Sequence, residues 1–385
     1  LLGNKYIHMK KLLFTLAILF TVLHSNAQSA KFFWNTTIGS TGNEQANAVI
    51  TDPMGFVYTV GKFSGTVDFD PGPGVFNITA FGQSDVYVSK QDPTGAFLWA
   101  KKFGGAFDEE AMSIALDPMQ NIYVCGHYKG VADFNPGIGG GVVNSLGDKD
   151  IFILKLDRDG FFQWVRRSGG TAPDAAHSII WDKTGYVHVT GTYWSLSALG
   201  EVYITKLDPN GNFSYVRLYG SNGLDIANSI GVDKFGNSYS LGTFDGGGDF
   251  DPSGGIAKLD TKGLKDIFIT KFTSSGILVW AKSIGGTNND IGRSIHVNDS
   301  GHIYITGSFS GKVDFDPSVV LSDTSYLESK GINDMFIARF DQSGNFVWAR
   351  RIGDTTADCE GAAVKGDLFG HIVVTGVFTD TVDFD

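Results

Sequence analysis

Cysteine is nearly absent from this 385-residue chain: Cys125 and Cys359 are the only two. They fall at non-equivalent places in the repeat described below, so they imply neither a disulfide framework nor a metal cage. Within Ile122-Tyr-Val-Cys125 the thiol is expected to be free and buried. Basic residues are also scarce. Setting aside Lys5, Lys10 and Lys11 of the N-terminal segment leaves 27 against 41 acidic residues. Such a balance argues against nucleic acid or anionic membrane as partners and favours cations or cationic surfaces. No apolar run reaches the roughly 20 residues of a membrane span. No P-loop, dinucleotide fingerprint or nucleophile motif occurs, and no histidine pair has metal spacing.

Glycine, by contrast, is abundant at 51 residues, and Phe contributes 30. That combination suits many short strands joined by tight turns. The N-terminus reads as a secretory leader over 9–27. Met9-Lys-Lys precedes an apolar run from Leu12 to Leu23, and Ser25-Asn-Ala27 resembles a cleavage site. Residues 1–8 contain no Met and read as upstream translation.

The strongest signal is a repeat anchored on an aromatic residue: Trp99-Ala-Lys-Lys-Phe-Gly-Gly, Trp164-Val-Arg-Arg-Ser-Gly-Gly, Trp280-Ala-Lys-Ser-Ile-Gly-Gly and Trp348-Ala-Arg-Arg-Ile-Gly, with weaker copies at Trp34 and Tyr215. The spacings are 65, 65, 51, 65 and 68 residues, which marks a repeat architecture. Each copy holds four period-2 runs separated by turn signals, such as Asp52-Pro-Met-Gly55 and Asp92-Pro-Thr-Gly95. Four antiparallel strands, a to d, repeated radially form a β-propeller blade. The expected fold is therefore all-β, with blades at 46–104, 111–169, 176–220, 227–285 and 292–353 and a truncated sixth at 361–385. Residues 31–39 read as an orphan strand d that closes the ring, with Trp34 as its wedge. On this reading 31–385 is a propeller cut short at its C-terminus.

The stretches Asp266-Ile-Phe-Ile-Thr-Lys-Phe, Gly276-Ile-Leu-Val-Trp-Ala-Lys-Ser-Ile-Gly-Gly and Gly301-His-Ile-Tyr-Ile-Thr-Gly resemble the SBBP β-propeller repeat of secreted and surface bacterial proteins. The resemblance covers 31–385. It implies a repeat fold and no shared catalytic residues. In Bacteroidetes, such proteins often end in a type IX secretion sorting domain, and that tail is an expectation here.

Two acidic features recur on the face of the b–c and d–a connections. A carboxylate stands two residues before each expected strand a: Glu44, Glu109, Asp174, Asp225 and Asp290. These could ring the channel mouth and attract a cation, or each could cap its own loop. An Asp-Phe-Asp-Pro element follows strand b, with candidate ligands Asp68 and Asp70, Asp133 and Asn135, Asp249 and Asp251, and Asp314 and Asp316; Asp383-Phe-Asp385 repeats it. Two carboxylates on one side of an extended segment suit Ca²⁺, whereas Asp before Pro also suits a plain turn. The third copy lacks the element and is shorter, so the b–c segments read as decorations. Strand c opens on an acid and carries a cation five residues later, as in Asp85 and Lys90, a pattern that suggests ion pairs.

These readings converge on a secreted, non-enzymatic scaffold at the bacterial surface. It would bind a protein or glycan on the long-loop face, with Ca²⁺ as a candidate bound ion. The rival is an extracellular polysaccharide lyase or hydrolase using the acidic channel face.

Overall fold

The computed structural model describes residues 33–40, 42–137, 139–194, 200–318, 325–367 and 370–382. The expected leader at 9–27, residues 1–8 and Asp383-Phe-Asp385 lie outside them. The chain divides into a short unit, 1–35, which includes Trp34, and a main unit, Thr36–Asp385. Among the described residues there is no helix.

Four-residue turns with Asp first and Gly last punctuate the main unit, and period-2 strands fill the intervals. The first sheet contains β1 (Gln45–Thr51) and β2 (Val57–Phe63). A short arm of β3 (Thr66–Asp68) and β4 (Asn77–Thr79) follows, then β5 (Asp85–Gln91) and β6 (Phe97–Gly105). The second sheet holds β7 (Glu110–Leu116), β8 (Ile122–Asp133), β9 (Val142–Leu156) and β10 (Phe162–Ser168), and here β8 and β9 run on into the arm. The third is β11 (Ala175–Trp181), β12 (Val187–Tyr193), β13 (Glu201–Leu207) and β14 (Phe213–Tyr219). The fourth is β15 (Ile226–Val232), β16 (Ser238–Asp249), β17 (Lys258–Phe272) and β18 (Leu278–Ile284). In the fifth, β19 (Ile291–Val297) and β20 (Ile303–Phe309) lead to an arm of β21 (Lys312–Asp314) and β22 (Tyr326–Glu328), then β23 (Asp334–Phe340) and β24 (Phe346–Ile352). A two-stranded sheet of β25 (Cys359–Gly366) and β26 (Ile372–Phe378) comes last. Strands within each sheet pair antiparallel in chain order. Cys125 is a free, fully buried thiol within the core of the second and third sheets, as the sequence suggests.

Cores form between consecutive sheets. One cluster joins Val60 and Val88 of the first sheet to Ile114, Val124 and Phe152 of the second. Another joins Leu241 and Ile269 of the fourth to Ile305 and Phe336 of the fifth. The aromatic anchors lie at these seams. Trp164 lies against Gly211 in the next sheet's turn, where an added methyl would sit 2.9 Å from the indole, and its Nε1 donates to Pro209 O at 3.0 Å. Gly211 is required twice over, because its φ is 80° as well. Trp99 meets Gly160, and Trp280 meets Gly344, in the same way.

The expected strand over 31–39 differs from what is seen. Phe33–Ile38 joins no ladder, and only Gly39 bridges to Asp68. A strand d pairs with the strand c of its own blade, and no such partner lies beside these residues among those described. Ile38 still packs against Phe63, Val67 and Phe69. It thereby occupies, on the first sheet, the place that Phe103 occupies on the second.

Gln120 takes the position of the turn glycine in the second sheet with φ of 65°. Left-handed backbone costs an L-residue about 1–2 kcal/mol, part of which glycine's greater unfolded freedom offsets. Gln120→Gly is expected to stabilise the protein by up to about 1 kcal/mol, read as a higher midpoint in urea unfolding. A lower midpoint would show that the Gln side chain contributes more than the strain costs.

Candidate functional site

The first strands of all six sheets line one cavity of about 670 Å³. Each of these strands carries a bulge, after its second residue in the first five, as between Ala46 and Ala48 or between Gly292 and Ser294, and after its third in β25. The extra residues are Asn47, Met112, His177, Asn228, Arg293 and Ala362. A bulge re-aims a side chain out of the ladder, and five of these six line the cavity. Burial lowers the pKa of the sixth, His177, and its ring Nδ1 lies 3.0 Å from Ala227 O.

The recurrent carboxylates do not face this cavity. Glu109, Asp174, Asp225 and Asp290 are fully buried, and none lines the channel. Each holds the d–a loop that precedes its strand. Glu109 accepts from Gly105 N at 2.9 Å, and Asp290 from Gly286 N at 2.7 Å. Asp174 accepts from Gly170 N and Trp194 N, and Asp225 from Ser221 N and Oγ. Glu44 does the same with Ser40 at the partly exposed first copy. The expected ring at the channel mouth is thus a set of loop caps, because a short acid beside free amides satisfies them locally before it can reach the axis.

These acids also meet the first acid of strand c. A methyl group on Gly104 would sit 2.8 Å from an oxygen of both Asp85 and Glu109, and one on Gly169 would sit 2.6 Å from Asp150 and 2.9 Å from Asp174. Asp85 Oδ1, Glu109 Oε1 and Asp150 Oδ1 are buried without a hydrogen-bond partner. Burial, aided by the neighbouring carboxylate, pushes Glu109 to about 7 and Asp174 to about 6. Asp225 and Asp290 rise to about 7 for the same reasons.

The Asp-Phe-Asp-Pro elements close their own turns. Asp68 Oδ1 accepts from Asp70 N at 3.0 Å and Phe76 N at 2.7 Å, and Asp70 accepts from Gly72 N. Asp249 and Asp251 repeat this with Ala257 and Ser253, and Asp314 and Asp316 with Ser325 and Ser318. Asp133 accepts from Asn135 N, and Asn135 donates to Gly139 O. Among the described residues no three His, Cys, Asp or Glu side chains gather as a metal group. The central Phe is a clasp. Phe134 is buried against Phe103 of the preceding sheet and Phe152 of its own, while Asp133 bridges to Gly104.

The strand-c cations do not pair with the acids five residues earlier. Lys90, Lys155, Lys206 and Lys271 each donate to a carbonyl in the next sheet's turn, at 3.0–3.3 Å. Lys155 lies over the Tyr123 ring on the way. An offset of five puts two residues of one strand on opposite faces, and the expected inter-strand ion pairs form instead between Asp150 and Arg167, Asp334 and Arg351, and Lys206 and Asp182.

Two polar groups occur once only. Lys62 Nζ and Asn47 Nδ2 donate to Glu110 at 2.8 and 2.9 Å, and Lys149 Nζ lies 3.1 Å from His127 Nε2. Burial and Lys149 push His127 down to about 4, so the neutral ring accepts from Lys149. In the third sheet His188 Nε2 lies 2.7 Å from Asp182 Oδ2, both buried. His188 replaces the tyrosine that reaches the turn Asp in other sheets, such as Tyr123 to Asp117. Asp182 also accepts from Thr184 Oγ1 at 2.8 Å and lies 3.5 Å from Lys206 Nζ.

Sheet order and the shared channel define the class of a β-propeller-type repeat protein. No protein-family model matches the chain. It is 25% identical over 92% of its length to an uncharacterised WD repeat-containing protein, L264, of Acanthamoeba polyphaga mimivirus, covering 32% of that protein. It is 26% identical over 56% of its length to the regulatory protein FlaEY of Caulobacter vibrioides, covering 22%. The chain thus spans about a third and about a fifth of these relatives. Among solved structures, the Pan2 WD40 domain of Neurospora crassa is 10% identical with a TM-score of 0.43, covering 87% of this chain and 89% of that one. A Dyadobacter fermentans protein of unknown function is 12% identical with a TM-score of 0.41, covering 87% and 94%.

The bulge residues escape a reading that looks for recurrence. Their signal is the reverse: a variable residue between a constant Ala or Gly and a constant Ser or Ala, three positions after the recurring carboxylate.

The raised carboxyl pKa values set a pH dependence. The folded chain keeps protons on Glu109, Asp174, Asp225 and Asp290 that the unfolded chain releases above about pH 4. Stability from these groups is therefore present below about pH 4 and is lost as pH rises towards 7. The melting temperature is expected to be higher at pH 5 than at pH 8, with a smaller difference in Asp290→Asn. A rise from pH 5 to pH 8 would show that these carboxyls are ionised in the fold.

Proposed function

We propose that the chain is a secreted binding scaffold of the bacterial surface, with protein or glycan partners docking on the face formed by the b–c arms. The observation that carries this reading is a set of exposed apolar side chains on the arms. Val75, Phe81, Val142, Leu146, Ile256 and Ile332 stand exposed on the b–c connections, whereas the recurrent polar groups are spent inside the frame. Exposed apolar groups on loops held by a rigid scaffold are the usual form of an interaction face. The leader at Met9-Lys-Lys supports export. The SBBP resemblance supports a surface role, and closure of the ring by residues near Ile38 is part of the proposal.

The rival enzyme reading has less support. Glycoside hydrolysis by the common routes needs two carboxyl groups flanking the scissile bond, and no Asp or Glu among the described residues lines the channel. The purified chain is expected to bind target cells or a glycan array without turnover of the same glycans. Val142→Asp with Ile256→Asp should weaken that binding at least ten-fold at unchanged melting temperature. Turnover of any glycan, or binding indifferent to both arm changes, would overturn the reading.

In the Asp-Phe-Asp-Pro turns amides take one oxygen of each leading carboxylate, which supports a turn that closes without a cation. Neither calcium chloride nor EDTA is expected to shift the melting temperature by more than about a degree. A calcium-dependent rise, abolished by Asp251→Asn, would assign an ion to these turns.

A further inference from the structure

We infer that the central channel is a binding site for a small oxyanion, a phosphate-, sulfate- or carboxylate-bearing molecule. Its lining combines donors with a lack of acceptors that carry charge. In a chain with 41 acidic residues, no Asp or Glu among the described residues lines the cavity, while Arg293 and Lys365 do. Arg293 is paired with Glu360. Lys365 makes no ion pair among the described residues. It reaches water within the channel, yet protein surrounds it closely enough that burial lowers its pKa. An ammonium held in that setting gains from an opposite charge more than one on the open surface does.

The second element is a ring of hydroxyls. Ser113, Ser178, Ser229 and Ser294 line the cavity at equivalent places. Each Oγ accepts one backbone N–H from the next sheet: Ile179, Ile230, Ile295 and Val364, at 3.1–3.3 Å. These bonds satisfy donors on the inner edge strands, which would otherwise be open. They use the oxygen of each serine and leave its proton. No protein acceptor for these four protons is present among the described residues. Hydroxyl donors around one uncompensated ammonium suit anionic oxygens, which accept several short bonds at once. A cation or an apolar ligand would leave those protons and Lys365 unmatched. The volume, about 670 Å³, is in the range of small-molecule pockets.

The proposal is independent of the arm face and of secretion. Its test is calorimetric titration of the full chain with inorganic phosphate, sulfate and citrate, in a low-chloride buffer free of other oxyanions. At least one is expected to bind saturably near one per chain, and comparison of the three separates phosphate from carboxylate chemistry. Lys365→Gln should weaken binding at least ten-fold, and Lys365→Arg should largely restore it. Lys183→Gln, which removes an exposed ion pair with Asp299 away from the channel lining, should leave it unchanged. Circular dichroism of each variant confirms that it is folded. No saturable binding of any of the three, or equal binding by Lys365→Gln, would overturn the proposal.

Discussion

The structure depends on the seam between one sheet and the next. A four-stranded sheet this small has two faces to cover and cannot stand alone. Here each sheet closes on the turn of its successor through two side chains, the aromatic of the fourth strand and the cation of the third. Trp164 and Lys155 both reach Pro209 O. Lys155 is also stacked over Tyr123, so burial of its stem and satisfaction of its charge occur together. Because the turn must present its carbonyls inward and accept an indole beneath it, its last residue is glycine. The turn, the aromatic and the cation therefore recur as a set. The short third sheet keeps the same arrangement, with Tyr215 under Gly276 and Lys206 on Ser274 O.

This seam determines what else can vary. Buried acids at the start of the first and third strands hold the loops around each sheet, and the Phe of the arm clasps the preceding sheet. Phe250 sits among Tyr219, Phe244 and Phe268 as Phe134 sits among Phe103, Tyr128 and Phe152. Each is a packing device repeated because the geometry repeats. Their conspicuous charge in the sequence is misleading about function: a carboxylate that accepts two amide bonds in a dry loop is part of the frame, and its raised pKa reports the burial.

Much of the frame is legible in the sequence because it is carried by local chemistry. Asp-x-x-Gly turns, period-2 strands and the Trp-to-Gly spacing are short-range features, and they locate the sheets. What is not legible depends on direction in space. The charges of Asp85 and Lys90 suggest ion pairs, yet the sequence does not say that Lys90 reaches a turn carbonyl of the next sheet, Arg158 O. Glu109 and Asp290 look like a ring until the loop amides claim them. The bulges at Asn47 and Arg293 leave only a one-residue irregularity in an otherwise apolar run, so nothing local announces that these side chains turn towards the axis.

Repetition and divergence therefore separate cleanly along the first strand. Its Ala and Ser positions are tied to the neighbouring sheets, Ala by close packing and Ser by the amide it receives, and a change there would disturb the seam on both sides. The bulged residue between them has left the ladder, and its side chain varies while still reaching the next sheet: Asn47, His177 and Asn228 meet the carbonyls of Ala111, Ala227 and Gly292, and Arg293 pairs with Glu360. A position that accepts such different side chains, and that lines a shared cavity in five copies of six, is where a repeat fold can build a site with no symmetry of its own. The uneven distribution of charge follows in part from that freedom: Arg293 is the bulge residue of the fifth first strand, while Lys365 stands in the ladder of the sixth, three places past its bulge.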